Sequence, residues 1–274
     1  KRYKHFKRLQ LNINQFIELA KICKKNNKFF MASVWDRSLL KKINPFIKIH
    51  KVGSGDLTNF QLIDDLVKTK KPIIISTGLS SLKTIDKVVN FIKKKDKNYL
   101  KQKKLSILQC TSNYPNQTNQ VNLKNIEMFE ERYNLPIGFS DHTIGFKACE
   151  VAYTVGAKII EKHFTHNKKI KTFRDHKISM TSNEVKLFLQ KLSTINDLLG
   201  NKKKELLNSE KKSKNHLSFR RGIYAKTNIK KGEKFSEKNL ILLRPHKGIG
   251  SERYFEVIGK KSLKNFKPLD IIKF

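Results

Sequence analysis

Short apolar runs alternate with amphipathic stretches along the first 200 residues of the chain. Apolar residues recur at helical spacing in the amphipathic stretches, which predicts helices at residues 12–26, 59–68, 82–93, 123–132, 144–155 and 182–199. Six runs have the length and composition of buried strands, at residues 29–34, 47–52, 72–76, 105–110, 135–139 and 157–160. Nearly continuous apolar strands that alternate with helices predict an α/β fold, with a parallel sheet covered by helices.

Polar residues follow every one of the six predicted strands. An open doubly wound sheet concentrates function at one switch point, whereas a (β/α)8 barrel builds its site from the carboxyl ends of many strands. The pattern therefore favours a barrel, although six strand–helix units are fewer than eight. In chain order, the polar residues are Asp36; Ser54 and Asp56; Ser76 and Thr77; Thr111, Ser112 and Asn113; Ser140 and His142; Glu161 and His163.

The two histidines of this set, His142 and His163, lie 21 residues apart, which is the length of one strand–helix–strand unit. Both follow predicted strands, so we expect them at the same end of two adjacent parallel strands. Most histidine pairs in proteins are structural. The neighbouring Ser140 and Glu161 favour a functional pair here.

The last part of the chain has a different pattern. A lysine-rich linker, residues 201–216, separates the predicted barrel domain of residues 1–200 from residues 217–274. Short apolar runs at residues 222–225, 240–243 and 270–273 are separated by turn residues. They predict a small β-rich module.

The composition, 38% hydrophobic and 30% charged, is that of a globular protein. No apolar run reaches the roughly 18 residues that a membrane helix requires, so we expect no membrane association. Three cysteines, Cys23, Cys110 and Cys149, lack the spacing of a metal knuckle or a disulfide framework. This cysteine usage predicts a reducing, cytoplasmic location.

The formal net charge of +36 raises the question of nucleic-acid binding. The excess is mostly lysine and is spread along the whole chain, whereas arginine is the better reader of phosphates and bases. A solvated lysine surface is therefore favoured over a specific nucleic-acid site. Such a surface would still attract an anionic substrate.

Several motifs, in this order, resemble those of the sialic acid synthase family. The last part of the chain, with Arg-Arg-Gly-Ile-Tyr-Ala at residues 220–225, Arg244-Pro245 and Ile-Gly-Lys at residues 258–260, is similar to that family's antifreeze-like (SAF) domain. The motifs of the predicted barrel are Lys-Val-Gly-Ser-Gly-Asp at 51–56, Ser-Thr-Gly at 76–78, Cys-Thr-Ser-Asn-Tyr-Pro at 110–115, Ser-Asp-His-Thr at 140–143 and Glu-Lys-His-Phe-Thr at 161–165.

The resemblance implies a transferase reaction. Phosphoenolpyruvate condenses with an N-acetylated amino-sugar aldehyde of the N-acetylmannosamine type and with water, giving a nine-carbon sialic-acid-type 2-keto sugar acid and phosphate. The family also implies a divalent cation, Mn²⁺ or Mg²⁺, and a domain-swapped homodimer in which one chain's tail caps the other's barrel. Two alternatives stay open: a pseudaminic or legionaminic acid synthase, and a catalytically silent barrel protein.

The resemblance also implies roles for individual residues. His142 and His163 match the family's metal ligands, and together with Glu161 they are the expected catalytic residues. Lys51 is supported by its own position as well, because an ammonium group inside an apolar strand is costly without a partner. The expected substrate-binding residues are Lys51, Ser54, Ser76, Ser112, Asn113, Ser140, Asp175 and Arg244.

The sequence departs from the family pattern in two places. The Gly-Pro that precedes the family's Asp-His pair is Phe173-Arg174 here, next to Asp175-His176. The family's opening segment, Glu-Ile-Gly-x-Asn-His-Asn-Gly, is not found in this sequence. We therefore expect a TIM barrel that lacks its first two strand–helix units.

Overall fold

The computed structural model of the protein describes Lys7, residues 10–170 and residues 173–273. The chain forms two compact units, residues 1–200 and residues 201–274. Among the described residues, no helix combines the length and the apolar character needed to cross a membrane.

The first unit is built around a five-stranded parallel sheet whose strands follow each other in chain order. This arrangement confirms the α/β class and the parallel sheet. The strands are β1 (His50–Val52), β2 (Ile73–Ser76), β3 (Leu105–Cys110), β4 (Ile137–Asp141) and β5 (Ile159–Lys162).

Helices connect the strands, as parallel neighbours require, and some of them begin at side-chain caps. Ser81 accepts from the backbone N–H of Thr84, and Thr181 forms a capping box with Glu184. The helices are α1 (Ile13–Lys25), α2 (Arg37–Ile43), α3 (Phe60–Lys68), α4 (Leu82–Lys95), α5 (Asn98–Lys101), α6 (Asn125–Tyr133), α7 (Lys147–Thr154) and α8 (Ser182–Leu199).

The segment at residues 29–34, predicted as a buried strand, is not a strand. Its burial still alternates: Val34 is buried, whereas Phe29 is 71% exposed and Trp35 is 69% exposed. A strand requires a neighbour for its backbone hydrogen bonds, and this segment packs side chains on the core without joining a ladder in the part of the chain that the structure describes. Asp36, expected at the end of that strand, instead caps α2 by accepting from the backbone N–H of Ser38 at 2.9 Å. Five of the six predicted strands of this unit are therefore present, and the strand predicted at residues 29–34 was wrong.

The core of the first unit lies between the sheet and its helices. Every residue of β2 is buried, and Ile75, Ile107 and Phe139 on three adjacent strands are each no more than 1% exposed. Burying one such side chain contributes about 1.5–3 kcal/mol. The core therefore fixes the strands that carry the polar ends.

The second unit has its own core, with Ile223, Phe235 and Phe266 at its centre. Its predicted strands at residues 222–225 and 240–243 form β6 (Gly222–Ala225) and β7 (Leu240–Leu243), which pair antiparallel. The third predicted strand, at residues 270–273, makes only an isolated bridge between Ile271 and Tyr224. The helices of this unit are α9 (Asn208–Ser213), α10 (Asn215–Ser218) and α11 (Tyr254–Val257).

Candidate active site

A cavity of about 560 Å³, lined mostly by polar residues, lies at the carboxyl ends of β1 to β5. It is the place where a parallel barrel-type sheet collects functional residues. Most of the expected catalytic and substrate-binding residues line this one cavity: Lys51, Ser54, Ser76, Ser112, Ser140, His142, Glu161 and His163.

A chain of polar contacts crosses the cavity from β1 to β5. The Lys51 ammonium donates to Ser76 Oγ at 2.8 Å and lies 3.4 Å from Glu161 Oε2. Ser140 Oγ donates to the other carboxylate oxygen of Glu161 at 2.7 Å. Strands are spaced roughly 4.8 Å apart, so the two edges of a flat five-stranded sheet would lie roughly 19 Å from each other. The contact between Lys51 and Glu161 therefore requires a sheet curled like half of a barrel.

The second group of hydroxyls lies against Gly78, in the loop after β2. The backbone N–H of Gly78 donates to Ser54 Oγ at 3.1 Å. A Cβ atom at this position would lie 2.7 Å from Ser54 Oγ and closer still to Ser112 Oγ. Any side chain at this position would therefore displace both serine hydroxyls from the loop.

The rings of His142 and His163 lie edge to face, with centroids 5.4 Å apart. His142 Nδ1 is 2.8 Å from the carbonyl oxygen of Thr111, and His163 Nδ1 is 3.4 Å from Asp175 Oδ2. A neutral imidazole that donates through Nδ1 has a free lone pair on Nε2. His142 thus has the hydrogen-bonding pattern of a metal-ligating imidazole, and the Asp175 carboxylate lies close to Nδ1 of His163.

Burial is the largest influence on the pKa of both histidines, but the pKa values of the two shift in opposite directions. For His163, burial lowers the pKa, and the carboxylate of Asp175 offsets part of that effect. For His142, burial also lowers the pKa, but hydrogen bonds with Cys110 and with the Thr111 carbonyl outweigh it, and the pKa is raised. The two rings therefore differ in their readiness to take up a proton.

The donor set fits a divalent ion held by two imidazoles. The described residues contain no group of three or more His, Cys, Asp or Glu side chains arranged to hold a metal. His142 and His163 are the imidazole side chains of the cavity that could hold such an ion.

Two residues that the sequence did not single out also line the cavity. The centroid of the Tyr114 ring lies 4.1 Å from that of the His142 ring and 5.8 Å from that of the His163 ring. The Arg174 guanidinium lies 4.9 Å from the centre of the Tyr114 ring. Burial raises the pKa of Tyr114 to about 12, so its hydroxyl remains a donor at neutral pH. Tyr114 lies inside the motif at 110–115, which was the signal that could have identified it.

Three of the expected substrate-binding residues do not line the cavity. Asn113 lines a neighbouring cavity of about 500 Å³, and its side-chain oxygen accepts from the backbone N–H of Tyr114. Asp175 lies behind His163 and contacts Nδ1 of its ring. Arg244 belongs to the second unit, where it precedes a cis peptide bond to Pro245. Its role in substrate binding stays a prediction.

The two units match two known families. Residues 1–204 match the NeuB family, and residues 220–274 match the SAF domain. The chain is 36% identical over 267 residues to the N,N'-diacetyllegionaminic acid synthase of Campylobacter jejuni, covering 97% of this chain and 78% of that protein. It is also 36% identical over 238 residues to a pseudaminic acid synthase of Campylobacter jejuni, covering 87% of this chain and 66% of that protein.

A solved structure also resembles the chain. The N-acetylneuraminic acid (sialic acid) synthetase of Leptospira borgpetersenii, crystallised in complex with citrate, aligns with a TM-score of 0.68 and 28% sequence identity. The alignment covers 76% of this chain and 70% of that one.

Proposed function

The chain belongs to the NeuB family and ends in a SAF domain, as its motifs predicted, and from this premise we propose that it condenses phosphoenolpyruvate with an N-acetylated amino-sugar aldehyde of the N-acetylmannosamine type. The new carbon–carbon bond joins the methylene carbon of phosphoenolpyruvate to the aldehyde carbon. Water adds to the second carbon of phosphoenolpyruvate, phosphate leaves, and the aldehyde oxygen takes up a proton. The product is a nine-carbon 2-keto sugar acid.

The observation that carries this proposal is the convergence of one ammonium, five serine side chains, two carboxylates and two imidazoles on a single cavity. Phosphoenolpyruvate carries a phosphate and a carboxylate, which charge-assisted hydrogen bonds hold strongly. The Lys51 ammonium and the hydroxyls of Ser54, Ser76 and Ser112 supply donors of this kind.

The other side of the cavity suits the aldehyde. His142 and His163 would hold the divalent cation, Mn²⁺ or Mg²⁺, because their Nδ1 atoms already have protein partners. When bound, such an ion supplies a Lewis acid for the carbonyl group. Glu161, oriented by Ser140 and Lys51, would take the proton of the water that adds.

The two alternatives differ from this proposal in definite ways. A pseudaminic or legionaminic acid synthase would catalyse the same condensation with a different amino sugar. Of the two Campylobacter relatives, one is named for each of these two products, so the names support both versions of this alternative. A catalytically silent barrel protein would bind the metal or phosphoenolpyruvate without turnover. The family's domain-swapped homodimer, in which Arg244 of one chain serves the cavity of the other, belongs to the proposal as well.

A substrate panel tests the proposed function. The purified chain is incubated with phosphoenolpyruvate, Mn²⁺ and one of three sugars: N-acetylmannosamine, or the amino sugars that lead to pseudaminic and legionaminic acids. Phosphate release and the product mass are measured. We expect turnover with N-acetylmannosamine and none after His163→Ala. Turnover with only one of the other sugars would select that alternative, and turnover with none would favour the silent protein.

A further inference from the structure

Two charged side chains lie on the same strand ends as the histidine pair but on the opposite face. Asp141 ends β4, Lys162 ends β5, and the two are direct partners in the register of the sheet. Successive side chains of a strand point to opposite faces. Ser140 and Glu161 line the cavity, whereas the Asp141 carboxylate contacts Cys149 of α7 at 3.3 Å.

The contacts of this pair close a tight turn around His142. The Lys162 ammonium donates to Asp141 Oδ2 and to the carbonyl oxygen of Thr143, each at 2.6 Å. Thr143 donates to the same carboxylate through its backbone N–H at 2.8 Å and through its hydroxyl at 3.1 Å. Lys162, which directly precedes His163, therefore holds the residues on both sides of His142.

Stability alone is a weak reason for such a pair. The Lys162 side chain is 6% exposed and the Asp141 side chain is fully buried, so both charges are removed from water. Replacing a buried ion pair by apolar residues of similar volume is often neutral or stabilising. A fully hydrogen-bonded buried network instead favours a single geometry. Here that geometry includes the two imidazoles.

We propose that Asp141 and Lys162 are positioning residues, which fix the separation and orientation of the His142 and His163 rings. The pair acts through the histidines and lines no part of the cavity. For its effect on metal affinity, the inference rests on the proposed function. The fixed geometry of the rings is a property of the chain without metal.

An apolar replacement separates positioning from stability. Asp141→Leu/Lys162→Met removes both charges together, and Asp141→Asn removes one. The matched control is Asp86→Leu/Arg132→Met, which removes a 2.8 Å ion pair between α4 and α6. Mn²⁺ affinity is measured without substrate, from the electron paramagnetic resonance signal of free Mn²⁺. We expect affinity about 10–100-fold weaker in both site variants and unchanged in the control, since partners that orient metal ligands have effects of this size.

The second readout uses the metal-free protein. The imidazole ¹⁵N spectra of wild type should show one defined tautomer for each of His142 and His163, and those of the double variant should show exchange or shifted signals. A folded double variant with wild-type spectra and wild-type Mn²⁺ affinity would overturn the proposal. So would a double variant that does not fold, because the pair would then be a stability element.

The two readouts also separate this inference from the proposed function. If wild type binds no Mn²⁺, the proposed metal-dependent function fails. Altered imidazole spectra in the double variant would then still support positioning, and unaltered spectra would refute it.

Discussion

Two lysine–carboxylate pairs join β5 to other strands of the sheet, and they differ in their exposure to water. Lys51 and Glu161 lie 3.4 Å apart, with side chains 10% and 40% exposed, and both line the cavity. Lys162 and Asp141 lie 2.6 Å apart, with side chains 6% and 0% exposed. The first pair is open to a ligand, whereas the second is enclosed by donors from its own chain.

The difference teaches what a buried charge can do at a site. An ammonium at the edge of a cavity can exchange a long contact with a carboxylate for a bond to an anionic substrate. An ammonium with no access to solvent or substrate can only hold its neighbours in place. The same two residue types therefore serve binding in one pair and geometry in the other.

The largest expected effect is on stability and comes from breaking the enclosed pair. Lys162→Met leaves the Asp141 carboxylate buried without its cation, so the free energy of unfolding should fall by about 3–5 kcal/mol. Urea unfolding at pH 7 measures this change. Lys68→Met is the control, because its side chain is 68% exposed and should change stability by less than about 0.5 kcal/mol. A Lys162→Met protein as stable as wild type would remove the distinction between the two pairs.

The open pair should show the opposite profile. Lys51→Met removes a donor for the phosphoenolpyruvate anion, so turnover in the phosphate-release assay should fall about 10²–10³-fold. Stability should change little, because Glu161 is left in contact with water. Lys70→Met, which removes an exposed lysine paired with Asp96, is the control for turnover. Full activity in Lys51→Met would exclude the proposed role of Lys51.

The smallest expected effect concerns the loss of stability in acid, and it comes from His50, which belongs to neither pair. Burial, reinforced by the charge of Lys71, lowers the pKa of His50 to about 4. The unfolded chain takes up this proton near pH 6.5, before the folded protein does. Stability from a neutral His50 is therefore full above about pH 6.5 and is lost as pH falls towards 4, by at most about 3 kcal/mol.

Urea midpoints between pH 7 and pH 4 check this expectation. In His50→Gln the urea midpoint should depend less steeply on pH over this range. The control is His166→Gln, which alters an exposed histidine and should leave the slope of the urea midpoint against pH unchanged. An unchanged slope in His50→Gln would assign the acid sensitivity to other groups.

The sequence predicted the elements well where the pattern was local. Residues 105–110 and residues 182–199 have the predicted bounds, because an apolar run marks the strand, and a capping box and a glycine mark the two ends of the helix. Residues 29–34 carry a similar apolar pattern but form no strand. Alternation specifies which side chains turn inwards, and it does not supply the neighbouring strand that hydrogen bonding requires.

The candidate site was predictable to a similar degree. Motif residues at strand ends converge because the carboxyl ends of parallel strands meet at one edge of the sheet. Arg174 lies in no motif that predicted a role for it, and its guanidinium contacts the Tyr114 ring, which comes from a distant loop. Ser112 lines both cavities, whereas its neighbour Asn113 lines only the second one and its side-chain oxygen accepts from the backbone of Tyr114.

The sequence by itself determined the order of strands and helices, the family and the two histidines, because these depend on residue types at short spacing. Only the tertiary structure decided that the sheet curls until Lys51 meets Glu161, and that Asp141 and Lys162 close behind the histidines. Each contact joins residues on two different strands of the sheet. Such contacts depend on how the strands twist and pack, which a local pattern of apolar and polar positions does not encode.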